Sequence, residues 1–464
     1  MLGRLPAGIG RPAYDRAKVA AGVVHIGVGA FHRAHQAAWF DEILGRGDPR
    51  WGVLGVSLRS PTAEQALAPQ DGLYTLIERS AEGETVRVRG AILGVISAAG
   101  REREAIAALA APQTHLVSLT ITEKGYASET AERGIPTTAP GFLAQALNRR
   151  RTAGLAPFTV LSCDNLDDNG VRIGALVLEA ATRIDPTLAT WIERRGAFPS
   201  SMVDRITPAT TPEEKAALEA RLGYRDDAIV TAEHFRQWVI EDRFAGPRPD
   251  FAEVGVQVVA DVAPWQAAKL RLLNAAHSAL AYLGALAGFA HVHEAIGWPP
   301  LRAYVRRLWS EAASTLTPTP GLDLEAYQEA LLKRFNNPHL RHRLTQIAMD
   351  GSQKLPPRLL GTIEDRLAAG QSIDALALAV AAWIRWQLGV DEAGARFTVE
   401  DPRAASLARA LRGANTAAEM VAAITGDKTI FPVGLAANLV FIQAVTRQLE
   451  SLLSNGARAT VEAA

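Results

Sequence analysis

The sequence predicts an α/β protein, with a doubly wound, mostly parallel sheet in the N-terminal part and a mostly α-helical C-terminal part. Three observations predict this. Apolar runs such as HLVSLTI (115–121) and FTVLSCDN (158–165) lack polar alternation, as expected of strands that are buried on both faces. Helical stretches alternate with these runs, which favours a parallel sheet. After about residue 264, strand-like runs become scarce and segments with helical periodicity continue to the C-terminus.

Length and composition set the number of domains and the broad class of protein. The chain has 464 residues, which is too long for one ordinary hydrophobic core. We therefore predict two domains, 1–264 and 265–464, divided near Pro264. The formal net charge is zero at pH 7, so the composition does not indicate binding to nucleic acid or to an anionic membrane surface.

Cysteine usage and the apolar runs indicate the compartment. Cys163 is the single cysteine, so no disulfide can form within the chain and a reducing, cytoplasmic environment is expected. The first residues, MLGRLPAGIGRPAYDR, lack the apolar core of a signal peptide. The longest apolar run, ALALAVAAWI (375–384), is too short to span a bilayer.

The first element that carries chemistry is GVVHIGVGAFHRAHQAAWFDEIL, residues 22–44. A short β-rich run, VVHI, is followed by Gly27 and Gly29 and then by an amphipathic helix, which is the opening of a Rossmann-type dinucleotide-binding unit. Gly27 permits the tight turn, and Gly29 lets the backbone approach a pyrophosphate. The third glycine of the usual fingerprint is replaced by His32.

The remaining elements of the N-terminal part follow in order. Further strands are predicted at WGVLGVSL (51–58), LYTLIE (73–78), VRVRG (86–90), HLVSLTI (115–121), FTVLSCDN (158–165), SMVDRIT (201–207), DAIVTAE (227–233) and VGVQVVAD (254–261). Helices are predicted at 102–111, 141–153 and 171–184.

Polar clusters follow several of these strands, where a doubly wound sheet binds its ligands. TEKGY follows HLVSLTI, and CDNLDDNG overlaps the end of FTVLSCDN. Asn165 closes a buried strand and its amide can point at a ligand oxygen, whereas Asp167 to Gly170 are explained by turn chemistry. Asp164 and Asp204 fit helix caps or ion pairs better than catalysis when each is taken alone.

The segment KLRLLNAAHS, 269–278, combines a lysine, an asparagine and a histidine with an otherwise apolar helix. At about 100° per residue, Asn274 lies about 140° around the helix from Lys269, with His277 between them at about 80°. The three side chains can therefore face one cavity. The alternative is a lysine that reaches to solvent from the helix end and two hydrogen-bonded core residues.

Seven blocks in order resemble the polyol-specific long-chain dehydrogenase family, which includes mannitol and arabinitol dehydrogenases and hexuronate reductases. The blocks are GVGAFHRAHQA, SLTITEKGY, TVLSCDN, SMVDRITP, FRQWVIED, KLRLLNAAHSALAYLG and QIAMDGSQKLPPRLL, and the resemblance as a whole extends from about residue 10 to about residue 450. EHFRQWVIEDRFAGPRPDF and LRHRLTQIAMDGSQKLPPR are most similar to the fructuronate reductase branch, whose members are D-mannonate oxidoreductases.

The resemblance implies an NAD-dependent secondary-alcohol dehydrogenase without a metal, often monomeric, that acts on a sugar acid or a polyol. Lys269 is then the general acid/base, Asn274 and Asn165 stabilise the reacting oxygen, and His277 orients the substrate. A lysine in an apolar cleft would have its pKa lowered by desolvation, which suits proton exchange near neutrality. The coenzyme would be held by the residues of three loops: Gly27, Gly29, Ala30, Phe31, Arg59, Glu123 and Lys124.

Three points concern proton release, coenzyme choice and substrate charge in this chain. Many members have a glutamate three residues before the catalytic lysine, but this chain has Gln266, so proton release needs water, Asp204 or another path. The end of the second strand, VSLRSP, lacks an acid, and Arg59 there suits the 2′-phosphate of NADP, which remains the alternative to NAD. A uronate carboxylate needs a cation, for which Lys354 and Arg358 are the candidates, together with Asp204 as a further substrate contact.

Several functions remain open at this stage. The first is reversible reduction of D-fructuronate to D-mannonate with NADH. A mannitol 2-dehydrogenase or another polyol or tagaturonate dehydrogenase of the same family is the alternative. A non-catalytic nucleotide-binding protein is a more remote one, and the intact set of Lys269, Asn274, His277 and Asn165 favours an enzyme over it.

Overall fold

A computed structural model describes residues 5–122, 125–129 and 136–464. The chain folds into two compact units, Met1–Ala263 and Pro264–Ala464. The first unit contains all the strands of the described residues, and the second is helical. This is the predicted fold class, and it is confirmed.

The strands of the first unit form three sheets. The strands are β1 Val23–Ile26, β2 Val53–Ser57, β3 Tyr74–Ser80, β4 Gly83–Arg89, β5 Ile92–Ser97, β6 Leu116–Leu119, β7 Thr159–Ser162, β8 Ser201–Asp204, β9 Val230–Glu233, β10 Gln237–Glu241 and β11 Gln257–Val259. The helices are Ala30–Ala34, Gln36–Gly45, Thr62–Leu67, Glu102–Ala110, Ala139–Thr152, Asn169–Ile184, Pro186–Arg195 and Pro212–Leu222, with short 3₁₀ turns at Arg16–Lys18, Ala68–Gln70 and Ala252–Val254.

The main sheet has five strands in the order β5-β2-β1-β6-β7, and all its pairings are parallel. The order reverses direction between β1 and β6, which pair from Val23 opposite Leu116 to Ile26 opposite Leu119. In open parallel sheets, ligands bind at the carboxyl ends of the strands at such a reversal. The loops after β1 and β6 are therefore where the fold places a ligand.

Helices cover both faces of this sheet. Val24 and Ile26 of β1 pack into a core with the helices Ala139–Thr152 and Asn169–Ile184. Val23 packs instead with side chains of the helix Gln36–Gly45. Because both faces are covered, β1 is buried along its whole length, which explains its unbroken apolar pattern.

Two smaller sheets complete the first unit. One has the order β11-β10-β8 and the other the order β4-β3-β9, and each combines one parallel with one antiparallel pairing. Tyr74 and Leu76 of β3 pack against Ala34, Ala37 and Ala38 on the helical segment that follows the glycine turn. Two strands, β5 and β10, were not predicted as strands from the sequence.

The second unit is built from helices around one core. The α-helices are Ala263–Ala268, which starts at the division between the units, Ala275–Ala279, Val292–Gly297, Pro299–Ala313, Leu324–Phe335, Leu344–Ala348, Gly351–Leu355, Gly361–Ala368, Asp374–Trp386, Ala404–Ala410, Ala417–Thr425, Val433–Ala436 and Leu439–Ala463. Three further segments are π-helical: Lys269–Asn274, Leu280–Gly284 and Pro356–Leu360.

The apolar run 375–384 lies in the helix Asp374–Trp386 and is buried throughout. It packs in the core of the second unit with the helices Pro299–Ala313 and Leu439–Ala463. Within the described part of the chain, no helix is both long and apolar enough to cross a membrane.

Candidate active site

The glycine turn lies at the end of β1, at the reversal of the main sheet. Gly27 has φ +100°, and a Cβ added there would lie 2.1 Å from the carbonyl oxygen of Thr120. This position therefore requires glycine for the fold itself. At Gly29, by contrast, the nearest atom to an added Cβ is 3.9 Å away, so the fold leaves open space there.

Gly29 precedes the helix Ala30–Ala34, and Gly29 and Ala30 are both exposed. Phe31 is half-buried and its ring stacks on His35 at 5.1 Å. The open space at Gly29 beside exposed backbone is what a closely approaching pyrophosphate needs. These residues fit a dinucleotide.

Two stacked histidines lie beneath this turn. The rings of His25 and His32 are parallel within 11° and 3.4 Å apart, and both side chains are fully buried. His25 is held by Ser118 Oγ on Nδ1 and by Thr120 Oγ1 on Nε2, each at 2.8 Å. Desolvation lowers the pKa of His25 to about 3 and that of His32 well below its usual value, so both rings are neutral. The residue that replaces the third glycine thus packs flat on the strand, a role that sequence reasoning missed.

The residues after β2 bear on the choice of coenzyme. Arg59 and Ser60 are exposed, and no carboxylate lies in the stretch Ser57–Ser60. Ser60 is engaged locally, since its Oγ lies 2.7 Å from Thr62 Oγ1. The structure thus places the predicted Arg59 on the surface at the end of β2.

The loops after β6 and β7 are tied together by Asp164. Its carboxylate accepts hydrogen bonds from the backbone N–H groups of Ile121, at 3.2 Å, and Thr122, at 2.8 Å. The Tyr126 hydroxyl also donates to it at 3.1 Å. Asp164 is therefore a buried structural residue, as the sequence favoured. Glu123 and Lys124, predicted to contact the coenzyme, lie outside the described residues.

Asn165 is exposed, three residues beyond the end of β7. Its position depends on Asn169, which is fully buried. The Asn169 amide donates to the carbonyls of Asp164 and Ser201, both at 2.9 Å, and accepts from the Ser201 N–H at 3.0 Å. Asn169 thus fixes the loop that carries Asn165, whereas the sequence alone suggested only turn chemistry.

Asp204 ends β8, opposite Gln237 of β10, and is 3% exposed. Its neighbour Arg205 is also buried and donates to the Glu233 carbonyl and, at 2.5 Å, to the carboxylate of Glu78. Arg205 is thus a structural residue that joins β8 to β9 and β3. The proposed contact of Asp204 with substrate stays a prediction.

In the second unit, Lys269 and Asn274 are the first and last residues of a π-helical segment. The N–H of Ala275 bonds to the carbonyl of Leu270, five residues back. The angles derived above for an α-helix are therefore wrong here, because in a π-helix residues five apart lie one turn above each other. Asn274 lies on the face of Lys269 rather than about 140° away by α-helical geometry.

His277 lies one turn further, on the α-helical segment Ala275–Ala279. Asn274 and His277 are 7% and 8% exposed, whereas Lys269 is half-buried. The three residues thus follow one another along a single face. π-Helical segments occur preferentially at functional sites.

His277 is a neutral histidine in a cationic environment. Its ring lies 4.8 Å from Phe335 and meets His342 edge-on at 5.6 Å. Desolvation, with His342, Arg358, Arg334 and Lys354 nearby, holds its pKa well below the usual value. Nε2 is buried and has no hydrogen-bond partner among the described residues, so it can bond to a ligand.

Arg358 contacts the same helix from a second π-helical segment, Pro356–Leu360. Its Nη1 donates to the Asn274 carbonyl at 3.3 Å and to Ser278 Oγ at 3.1 Å. Desolvation lowers the pKa of this guanidinium to about 10. No carboxylate within the described parts of the chain forms an ion pair with it. Arg358 is therefore a half-buried cation placed beside the face of Asn274 and His277.

Lys354 has a different environment. Its ammonium group donates to the carbonyls of Met349, at 2.6 Å, and Ile347, at 3.3 Å. Both carbonyls lie at the end of the helix Leu344–Ala348, where a cation is stabilised by the helix dipole. Of the two predicted carboxylate-binding cations, Arg358 has the geometry that better suits a ligand.

The second unit thus brings together Lys269, Asn274, His277 and Arg358, while the first unit carries the glycine turn, Asn165 and Asp204. In the described ranges, no group of three or more histidine, cysteine or carboxylate side chains is arranged to hold a metal ion.

Comparisons with known proteins cover almost the whole chain. Residues 21–253 match the family model of the mannitol dehydrogenase Rossmann domain, and residues 261–453 match that of the mannitol dehydrogenase C-terminal domain. The D-mannonate oxidoreductase of Escherichia coli is 41% identical, over 98% of this chain and 98% of its own. The mannitol 2-dehydrogenase of Phaeosphaeria nodorum is also 41% identical, over 97% of this chain and 82% of its own.

A solved structure extends the likeness to three dimensions. The Pseudomonas fluorescens mannitol 2-dehydrogenase, in a ternary complex with NAD and D-mannitol, superimposes with a TM-score of 0.88. It is 37% identical, and the match covers 100% of this chain and 98% of that one. The family resemblance that the sequence indicated is confirmed. Because the sugar-acid and polyol relatives are equally similar, identity alone does not separate their substrates.

Proposed function

This chain belongs to the mannitol dehydrogenase family of oxidoreductases, and on that basis we propose that it reduces D-fructuronate to D-mannonate with NADH, reversibly. The observation that carries the proposal is Arg358, a half-buried guanidinium with no carboxylate partner among the described residues. A uronate brings a carboxylate to this cation, and mannitol does not.

The electrostatic environment of Arg358 supports an acidic substrate. A guanidinium is rarely buried without an anion, because its charge loses hydration that only a partner replaces. Arg358 has bonds only to a carbonyl and a hydroxyl in the described structure, and its lowered pKa reflects that desolvation. The planar guanidinium group can donate two parallel hydrogen bonds to the two oxygens of a carboxylate. An anionic substrate therefore gains more here than a neutral one.

We assign the proton transfer to Lys269. Bound NADH supplies the hydride that goes to the ketone carbon. The Lys269 ammonium gives its proton to the ketone oxygen, so that the alkoxide charge never develops fully, and Asn274 and Asn165 donate amide N–H groups to that oxygen. His277, neutral and with Nε2 free of a partner among the described residues, bonds to a substrate hydroxyl. In the reverse direction, the neutral amine of Lys269 removes the hydroxyl proton.

A polyol dehydrogenase is the second candidate, because the mannitol 2-dehydrogenase of P. nodorum is as similar as the D-mannonate oxidoreductase. NADH oxidation would be followed with fructuronate, tagaturonate and fructose, and NAD⁺ reduction with mannitol and arabinitol. We expect fructuronate to have the highest kcat/KM. Faster turnover of fructose would replace the proposal by the polyol activity, and no turnover with any of the five would favour a non-catalytic nucleotide-binding protein.

The two glycines of the turn give a paired prediction. Gly27→Ala should lower the free energy of unfolding by about 3 kcal/mol or more, because the added Cβ overlaps the Thr120 carbonyl and φ is positive. Gly29→Ala should leave stability nearly unchanged, since the fold has room there, but should weaken NADH binding. Urea unfolding and fluorescence titration with NADH measure the two effects. Equal NADH affinity in Gly29→Ala and the unchanged protein would mean that the pyrophosphate does not bind at this turn.

Coenzyme choice gives another prediction. We propose NAD as the coenzyme, consistent with the NAD complex of the P. fluorescens relative, with NADP as the alternative because of Arg59. We expect kcat/KM to be higher with NADH than with NADPH. Arg59→Asp should lower the remaining NADPH activity strongly, because a carboxylate repels the 2′-phosphate and accepts from a ribose hydroxyl. A large preference of the unchanged protein for NADPH would reverse the assignment.

A further inference from the structure

The first unit contains a polar cavity of about 630 Å³, away from the glycine turn. The helix Gln36–Gly45 follows the turn, and the cavity lies at its far end, against β3 and β4. The volume lies in the range of small-molecule sites, about 300–1,000 Å³. Five arginines line it: Arg11, Arg46, Arg87, Arg89 and Arg236.

The carboxylates of this cavity already have partners. Arg89, only 2% exposed, lies 3.3 Å from Asp41, 3.3 Å from Glu42 and 3.4 Å from Glu78. Glu42 also accepts from Arg236 at 2.5 Å. Arg205, which is buried and is not one of the lining residues, pairs with Glu78 at 2.5 Å. Because every carboxylate is engaged, none is left to neutralise the arginines at the rim.

The rim carries the excess positive charge. Arg46 follows the end of the helix Gln36–Gly45, and Arg87 extends from β4; both are exposed, and neither forms an ion pair within the described residues. Among the described residues, Arg11 donates to the carbonyl of Leu5 alone, at 3.2 Å. The lining thus has five arginines and three carboxylates, an excess of two positive charges. A dianion matches that excess.

Two features show that some of these cations are already positioned. The Arg236 guanidinium lies over the Trp39 ring, 3.6 Å from its centroid. The Arg87 side chain lies against Gly10, where an added Cβ would be 2.9 Å from its Cγ. Held side chains lose less conformational entropy when a ligand binds. The cavity is therefore partly organised before binding.

Buried donors without partners also point to a ligand. Arg236 Nη1 and Arg89 Nε are buried and have no hydrogen-bond partner among the described residues. An unsatisfied buried donor is costly, more so on a charged group. An oxyanion that enters the cavity supplies the missing acceptors.

We propose that this cavity binds a small phosphate-bearing anion, separately from the coenzyme. A phosphate dianion neutralises the two excess charges and offers several acceptor oxygens to guanidinium forks on different elements. Arg46 and Arg87 hold it at the rim, and Arg236 supplies a donor below them. The site lies in the first unit alone, so it does not depend on the assignment of the sugar substrate.

The test is isothermal titration calorimetry at low ionic strength, with the full-length protein saturated with NADH so that the glycine turn is occupied. Inorganic phosphate, glucose 6-phosphate and citrate are titrated separately. We expect saturable binding of inorganic phosphate, glucose 6-phosphate or both. Arg87→Glu and Arg46→Glu should each weaken it at least tenfold, which is about 1.4 kcal/mol. Binding of glucose 6-phosphate alone would identify an ester as the ligand, and equal binding of both would identify the phosphate group itself.

Arg149→Glu is the matched control, because it makes the same charge change on the exposed face of the helix Ala139–Thr152, outside the cavity. It should bind phosphate as the unchanged protein does, and all three variants should keep their NADH affinity. An equal loss of phosphate affinity in Arg149→Glu and Arg87→Glu would mean that the effect comes from the net charge of the protein. That result would overturn the proposed site. No saturable phosphate binding, or binding of citrate alone, would overturn the assignment to phosphate.

Discussion

Replacing Lys269 by methionine should lower kcat for fructuronate reduction by about 10³-fold, within the range expected for loss of a general acid. Methionine keeps the length and apolar stem of the side chain but carries no proton. NADH affinity should stay unchanged, because the role proposed for Lys269 is on the substrate oxygen and not on the coenzyme. Stopped-flow absorbance of NADH separates the loss of hydride transfer from slower product release.

The matched control is Lys428→Met, which removes an exposed lysine elsewhere in the second unit. It should keep full activity and the melting temperature of the unchanged protein. If Lys269→Met retained more than a small part of kcat while folding normally, the acid/base role would belong to another residue. Asn274, buried on the same helical face, would then lose its proposed role as well, since both side chains are proposed to act on one oxygen.

Substitution of Arg358 should separate acidic from neutral substrates. Arg358→Leu removes the charge and its bonds to the Asn274 carbonyl and Ser278. Loss of a buried charge partner costs about 2 kcal/mol or more, so kcat/KM for fructuronate should fall at least about thirtyfold. Activity with fructose, which has no carboxylate, should change much less. The ratio of the two kcat/KM values is the decisive measurement.

Two variants control for disturbance of the helix. Arg358→Lys keeps the charge and should retain more fructuronate activity than Arg358→Leu, though less than arginine because the two-pronged geometry is lost. Arg409→Leu removes an exposed arginine on another helix and should be neutral. A parallel fall with fructose and fructuronate in Arg358→Leu would mean that the residue supports the helix and that the carboxylate binds elsewhere.

Much of the fold was predictable because local pattern and tertiary environment agree. VVHI is apolar at every position but one, and β1 is covered on both faces. The predicted helix 171–184 begins two residues earlier in the structure, at Asn169–Ile184. β5 was missed because Gly94 interrupts its apolar run, and isolated glycines usually indicate turns or bulges. β10 was missed because its apolar run, 238–240, is only three residues long and has polar or charged residues on both sides.

The roles of the candidate site residues stay predictions, but the geometry of their helix can be compared with the sequence. The predicted angular spacing of Lys269, Asn274 and His277 was wrong because apolar periodicity does not distinguish an α-helix from a short π-helical insertion. The structural role of Asn169 depends on Ser201, 32 residues away, which no local rule connects to it. In the sequence, His32 only marks the absence of the third glycine of the dinucleotide-binding motif. Its stacking on the His25 ring depends on the fold and could not be predicted.

The π-helical winding makes this helix unusually sensitive to its length. A π-helical segment accommodates one residue more per turn than regular α-helix does, so a chain shortened by a single residue between 269 and 274 could relax to the regular winding with its backbone bonds intact. Everything after the deletion would then rotate and shift relative to Lys269. Local helical stability would rise while the alignment of amine, amide and imidazole was lost. In this helix, the irregular winding itself sets the relative positions of the lysine, the asparagine and the histidine.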